Sequence, residues 1–285
     1  MRKLFAGLMA AAIAGTAQAE IRIGVLAPQG PEAAVERWQP LMEHLSGELG
    51  QPVTMFPVSA QDGTEAFGSG LFDLLLGNPV QTAVVVDTMA AVPLASVERS
   101  SGAEFAGVIV ARAESGIEAL SDLQGRRIGT LGDWAAGGFL FQADYVMQNG
   151  LAHPGDLGDR VRFKNQNQIM DSLVAGDIDA AFVRTGILEG WISAGRLSVE
   201  DVRVLSPKEG SGPIEWRTTG WFPEWFIVAR NGLDARLTGP LAEALIGLEP
   251  SGQEATAARI TGFREPLDVT DVVTAMQRVG VAPYN

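Results

Sequence analysis

The sequence predicts an α/β protein of two modest domains, and three observations carry that expectation. Short apolar runs alternate with amphipathic helical segments along the chain, the pattern of strand and helix units built around mainly parallel sheets. The 285 residues, 46% of them apolar, suffice for two cores of roughly 100 to 150 residues each. Two runs, Phe105-Ala-Gly-Val-Ile-Val-Ala-Arg112 and Trp225-Phe-Ile-Val-Ala-Arg230, share a pattern and read as long strands flanking two chain crossings between the domains. The first domain is then discontinuous, 20–112 plus 218–285, with 113–217 inserted.

In chain order, residues 1–19 combine a basic start (Arg2, Lys3), an apolar run over 4–14 and the small-residue site Ala17-Gln18-Ala19. That is a cleavable secretory signal peptide, its apolar run too short to span a bilayer, and Glu20 becomes the mature N-terminus. A strand over 21–26 leads into a helix with Pro31 in its first turn, and Pro40 is expected to start a second helical segment with Leu41, Leu45 and Leu49 on its apolar side. Then follow a strand over 53–58, a helix near 62–69 and a buried strand over 73–76. Asn78-Pro79 is a helix start, Asn as cap and Pro in the first turn. Past the first crossing, a short helical turn and a tight turn at Gly125 precede a buried strand over 127–131. The Gly-rich loop Leu131-Gly-Asp-Trp-Ala-Ala-Gly-Gly138 then opens a helix. Such a loop aims backbone N–H groups and the positive end of a helix dipole at whatever lies in front, which favours an anionic ligand.

Composition excludes several classes of function. There is no cysteine, hence no disulfide, no thiol nucleophile and no lipid-anchoring cysteine. The net charge of −13 disfavours nucleic acid and anionic lipid as partners, although a cleft can be locally positive inside an acidic exterior. With only His44 and His153, both expected at the surface, there is little material for a His-based triad, and no zinc-type spacing occurs. No catalytic residue, metal or cofactor is expected, and the chain does not read as an enzyme; the rival is a small hydrolase or isomerase using Asp133 or Glu224 as base.

Five blocks follow in order: Ile21-Arg-Ile-Gly-Val-Leu-Ala-Pro28, Trp38-Gln-Pro-Leu-Met-Glu-His-Leu45, Phe72-Asp-Leu-Leu-Leu-Gly-Asn-Pro79, Ser115-Gly-Ile-Glu-Ala-Leu-Ser-Asp-Leu-Gln-Gly-Arg-Arg-Ile-Gly-Thr130 and Leu173-Val-Ala-Gly-Asp-Ile-Asp-Ala-Ala-Phe182. Together they resemble the periplasmic solute-binding proteins of the phosphonate-binding type. Within that group, Val183-Arg-Thr-Gly-Ile-Leu-Glu189 and Phe222-Pro-Glu-Trp-Phe226 are similar to the periplasmic sensor domains of tetrathionate-type histidine kinases. The chain ends at Asn285 without a kinase, which implies a free-standing, monomeric binding protein of the periplasm, without a membrane anchor. The resemblance implies a two-domain, type II periplasmic binding fold with a two-strand hinge and an interdomain cleft. It also implies a small-molecule ligand, and as partner an inner-membrane ABC permease or, as the alternative, a membrane histidine kinase. Thiamine-pyrimidine synthases share the general scaffold, but that likeness would need a cysteine-rich motif.

In open α/β sheets, ligands sit beyond the carboxyl ends of the strands. The candidate contacts on those loops are Gln29, Asn78, Gln81, Asp133, Trp134, Gly137, Arg184, Thr185, Trp221 and Trp225. Arg184 ends the apolar run over 179–183, where its planar fork suits bidentate capture of an oxyanion, or a structural salt bridge, for instance with Glu189. Thr185 and Asn78 each suit a helix cap, a ligand contact or both. Trp134, Trp221 and Trp225 suit a stacking wall or hinge packing. Glu224 would oppose an anion and favour a donor group. Relative to the phosphonate binders it resembles, the chain lacks a Ser/Thr-rich turn at 133–138, a tyrosine at Gln81 and a histidine near Gln166, and carries the Asp133 carboxylate instead. The scaffold therefore carries over, and phosphonate as the ligand does not.

Overall fold

The computed structural model describes residues 20–208 and 216–285, so the expected signal peptide, residues 1–19, lies outside the described residues. The elements follow in chain order. First come β1 (Ile21–Leu26), α1 (Pro31–Leu49), β2 (Val53–Val58), α2 (Ala60–Gly68), β3 (Leu74–Gly77), α3 (Pro79–Met89) and β4 (Val92–Glu98). The middle of the chain gives β5 (Glu104–Arg112), β6 (Arg127–Thr130), α4 (Leu140–Gln148), α5 (Pro154–Leu157), β7 (Asp159–Arg162), α6 (Gln166–Ala175), β8 (Ala180–Arg184) and α7 (Ile187–Ser193). The remainder gives β9 (Val202–Val204), β10 (Trp221–Pro223), β11 (Phe226–Ala229), α8 (Ala235–Ile246), α9 (Gln253–Ala258), β12 (Gly262–Arg264) and α10 (Thr270–Val279).

These strands form two sheets. One runs β12-β4-β11-β3-β1-β2, the other β10-β5-β8-β6-β7 with β9 paired to β5. Only the β2-β1-β3 and β7-β6-β8 groups are parallel; β11, β12, β5, β9 and β10 pair antiparallel, so the sheets are mixed rather than mainly parallel. The reason lies in the crossings. The strands flanking them, β4 with β5 and β10 with β11, carry the chain between the sheets and run against the neighbours on which they settle. The chain leaves the first sheet over 99–103 and returns over 224–225, where Glu224 N donates to Ala103 O (2.8 Å) and Val97 N to Trp225 O (2.7 Å). Strand 104–112, expected with the first domain, pairs in the second sheet.

Pro40 does not restart a helix, because α1 runs unbroken through it. A proline inside a helix forfeits one hydrogen bond and strains its turn, costing about 3 kcal/mol. The stripe Trp38, Leu41, Met42 and Leu45, buried in one apolar cluster with Ile23 of β1 and Leu74 of β3, spans the proline, and its packing outweighs that cost.

Alternation along β5 divides the core. Ile109 and Ala111 join one apolar cluster, while Val108 and Val110 point to the other face with Ile169, Leu173 and Val183. The Ile109 cluster is shared between the sheets. It contains Leu75, Val80 and Val84 from β3 and α3, Phe139, Phe141 and Val146 around α4, and Val272, Met276 and Val279 from α10. Helix α10 packs against both α3 and α4, and Arg278 pairs with the buried Asp144 of α4. Among the described residues no helix is long and apolar enough to cross a membrane.

Candidate functional site

The loops beyond β1, β3, β6 and β8 meet on one side of the two crossings. Asn78 caps α3 as expected, its Oδ1 accepting from Gln81 N (3.0 Å), while Gln81 Oε1 accepts from Asn78 N (3.4 Å). Asn78 also donates through Nδ2 to Trp134 O (3.1 Å), a direct bond from the β3–α3 turn to the Gly-rich loop of the other sheet. Gln81 is fully buried and its Nε2 donates to Ala60 O (2.9 Å), so it braces α2 and α3 instead of meeting the cleft.

The Gly-rich loop is held from both ends. Leu131 N donates to Gly138 O (2.9 Å) and Ala135 N to Gly132 O (3.0 Å). Arg160 threads beneath it, donating to Thr130 Oγ1 (2.8 Å) and Leu131 O (2.7 Å) and lying 3.4 Å over the Phe139 ring. Asp133 pairs with Arg160 (2.5 Å) and Arg162 (3.1 Å), so its carboxylate is neutralised within the loop. Gly137 is where the loop touches β8: a Cβ there would sit 2.6 Å from the Phe105 ring and 2.8 Å from Arg184 Cβ. The fully buried Gln142 secures the same junction, its Nε2 donating to Gly137 O (2.9 Å) and Val183 O (2.7 Å). Trp134 packs half-buried against the shared core.

Arg184 ends β8 with its guanidinium 4.1 Å over Phe105 and its backbone N donating to Gln166 Oε1 (2.8 Å). Its ion-pair partner is Glu224, not Glu189. Glu189 is used by α7, accepting from Gly186 N (2.9 Å) at the helix start and from Trp216 N (3.1 Å). Thr185 does not cap α7; it is buried and its Oγ1 accepts from Ala106 N (3.3 Å) on β5. Glu224 is fully buried between Arg184 and Arg99 (3.0 Å), so it offers no carboxylate to the cleft. Burial opposes its ionisation, yet Arg184 and then Arg99 outweigh that and hold its carboxyl below the usual glutamate range. Arg37 of α1 lies nearby, donating to Ala258 O (2.9 Å) and covering Trp38 and Trp225 at 4.8 and 5.8 Å. Trp225 is stacked on Trp38 (6.4 Å) and lines a narrow gap with Pro28, Gln29 and Arg37. Trp221 faces a different cavity, with Arg217 5.0 Å over its ring and α10 opposite.

In front of Arg184 opens a cleft of about 700 Å³, whose walls come from the loop after β1 (Pro28, Gln29), Leu131, Ile187 and the start of α6. That helix start is self-capped, Asn165 Oδ1 accepting from Gln168 N (3.0 Å) and Gln168 Oε1 from Lys164 N (3.2 Å). Of the ten candidates, Gln29 and Arg184 line the cleft. Asn78, Asp133, Trp134 and Gly137 shape the loop at its side, Gln81 and Thr185 are buried braces, Trp225 lines a narrow gap that shares Pro28 and Gln29 with the cleft, and Trp221 lies elsewhere. Residue-by-residue reading missed Lys164, Asn165, Asn167 and Gln168 on the cleft wall, and Arg37 and Arg99 behind Arg184. The spacing of Asn165 and Gln168 was a readable capping signal. Nothing local marks the two arginines.

The family model described as the periplasmic substrate-binding protein of phosphonate ABC transporters matches residues 23–270. The tetrathionate sensor histidine kinase TtrS of Salmonella typhimurium is 25% identical over 229 residues, 78% of this chain; the chain spans only 38% of that relative's length. Among solved structures, a Xanthomonas citri protein bound to ATP shares the fold with a TM-score of 0.75 at 18% identity, covering 92% of this chain and 98% of the other. PhnD1 from Prochlorococcus marinus in complex with methylphosphonate gives 0.70 at 14% identity, covering 92% and 98%.

Proposed function

Because the chain belongs to the family of periplasmic substrate-binding proteins of phosphonate ABC transporters, we propose that it captures a small polar anion in the cleft between its two sheets and hands it to an inner-membrane ABC permease. The observation that carries this reading is the cleft of about 700 Å³ with Arg184 on its wall, walled by loops at the carboxyl ends of β1, β6 and β8. Its volume lies within the roughly 300–1,000 Å³ of small-molecule sites. Its position beyond the strand ends, beside a two-strand crossing, suits hinge closure on a ligand. We take the two lobes to divide at 99–103 and 224–225. Binding without turnover is favoured because both carboxylates considered as bases are committed elsewhere, Asp133 to Arg160 and Arg162 and Glu224 to Arg184 and Arg99. We place the protein in the periplasm, exported by residues 1–19.

A second reading is a subunit that presents its ligand to a membrane histidine kinase. It is favoured by the similarity to the tetrathionate sensor kinase, which brings sulfur oxyanions into the range of ligands. A thermal-unfolding screen of residues 20–285 tests capture directly, using phosphate, phosphonates, sulfur, selenium and arsenic oxyanions, carboxylates and quaternary amines. A ligand at about 100 times its dissociation constant adds roughly 2.7 kcal/mol and raises the midpoint by several degrees. Stabilisation only by amines, or by nothing, would overturn the anion reading, and recovery of a chemically altered ligand would overturn binding without turnover.

A further inference from the structure

The carboxylate behind Arg184 is built into the second crossing in an unusual way. Glu224 Oε1 faces two guanidinium groups, Arg184 from β8 and Arg99 from the first crossing, while its Oε2 is buried without a hydrogen-bond partner among the described residues. A third guanidinium, Arg37, stands in the same field. Burial, then repulsion from Arg99 and Arg259, pushes Arg37 down to about 10, and the attraction of Glu224 only partly opposes this. Among the described residues, three arginines around one carboxylate leave two positive charges without a counterpart, and Arg259 adds a more exposed one that water screens. A partly buried cluster of that composition is short of negative charge.

The surplus borders the cleft. Arg184 lines its wall, and Arg37 lines a narrow gap that shares Pro28 and Gln29 with it. Arg184 gives one Nη to Glu224, and its Nε and other Nη make no hydrogen bond among the described residues. Resting on the reading of the cleft as an anion site, we propose that Glu224 is a positioning residue that fixes Arg184 and Arg99 and leaves the crossing two positive charges in excess, so that the cleft selects a dianion over a monoanion of the same shape. The physical basis is that each unit of surplus charge acts on a dianion twice as strongly as on a monoanion. The paired carboxylate meanwhile holds the arginine fork still before the ligand arrives.

Sulfate and perchlorate serve as the test pair, being tetrahedral oxyanions of charge two and one. Their affinities are measured by calorimetry and thermal shift at matched ionic strength in three proteins: Arg37→Met with a surplus of one, wild type with two, and Glu224→Gln with three. Arg184→Met supplies the background, because sulfate also stabilises folded proteins without binding a site. The preference for sulfate should grow along that series by about tenfold per step, the size of one unit charge acting across several ångströms at an effective dielectric constant near 20–40. Looser packing alone would lower the melting temperature and leave the ratio unmoved. A flat or reversed series, or a wild type that holds sulfate no better than perchlorate, overturns the proposal. If Glu224→Gln does not fold, the comparison of Arg37→Met with wild type decides it. Should the series fail while another compound of the broader screen binds wild type but not a Lys164→Ala variant, the capture reading survives without this charge rule. If nothing binds, both fall.

Discussion

Replacing Gly137 with alanine should cost stability and anion affinity together, whereas the same change at Gly132 in the same loop should stabilise the fold. A methyl group at 137 would sit 2.6 Å from Phe105 Cε2 and 2.8 Å from Arg184 Cβ. Neither neighbour yields freely. Phe105 is buried and set against Phe141 at 5.4 Å, and Arg184 Cβ is fixed by the end of β8. Overpacking of this kind costs about 1–3 kcal/mol, which for a chain of this size lowers the melting midpoint by roughly 2–4 °C per kcal/mol. The motion that best relieves the clash pushes Arg184 outward, so affinity falls with stability. At Gly132 an added Cβ meets nothing within 4 Å and the backbone is not left-handed. Alanine there gains roughly 0.4–1 kcal/mol by narrowing the unfolded ensemble. Calorimetric melting of the two variants beside wild type, with oxyanion titrations of each, reads both effects. Shifts of the same sign, or a Gly137→Ala protein with wild-type midpoint and affinity, would refute the account of how the loop seats on β8.

Arg184→Met should weaken binding of an anion more than tenfold, about 1.4 kcal/mol or more, in a protein that still melts cooperatively; unchanged affinity would return Arg184 to a purely structural role. Gln142→Leu strips the donor from Gly137 O and Val183 O and should lower stability by about 1–3 kcal/mol, partly offset by removal of the buried, unpartnered Oε1, as denaturant melts would show. His153 is pushed below its ordinary value by burial and by Arg160, and its Nδ1 accepts from Gly155 N (3.0 Å), so the folded state favours the neutral ring. That contribution is fully present above about pH 6.5 and declines as the pH falls toward the lower folded value. His153→Asn, whose carboxamide oxygen also accepts from Gly155 N, should flatten this part of the melting profile below about pH 6.5.

What the sequence made legible was whatever is decided within a few residues. Asn78 and Pro79 state a helix start, and the helix starts there, because capping needs only a side chain and the amides of the next turn. Pro40 states a break, and none occurs, because Trp38 and Leu41 on either side are both held by strands that the local sequence does not contain. The partner of Arg184 shows the same limit. Glu189 is its near neighbour in sequence, yet the ion pair forms with Glu224, 40 positions away, since the path of β10 into β11 brings that carboxylate to the end of β8. Arg37 reaches the site from α1 and Arg99 from the first crossing. No pattern in their own surroundings announces it, whereas the carboxamides at the start of α6 were marked by their cap spacing.

The apolar cluster shared by the two sheets bears on how the molecule is made. Helix α10 gives it Val272, Met276 and Val279 and covers α3 and α4, whose residues are synthesised far earlier. Until α10 emerges, the faces of α3 and α4 that it packs against have no cover, and neither half has its finished surface. The cluster that joins the two sheets therefore closes only after α10 has been made, later than the strands and helices it unites.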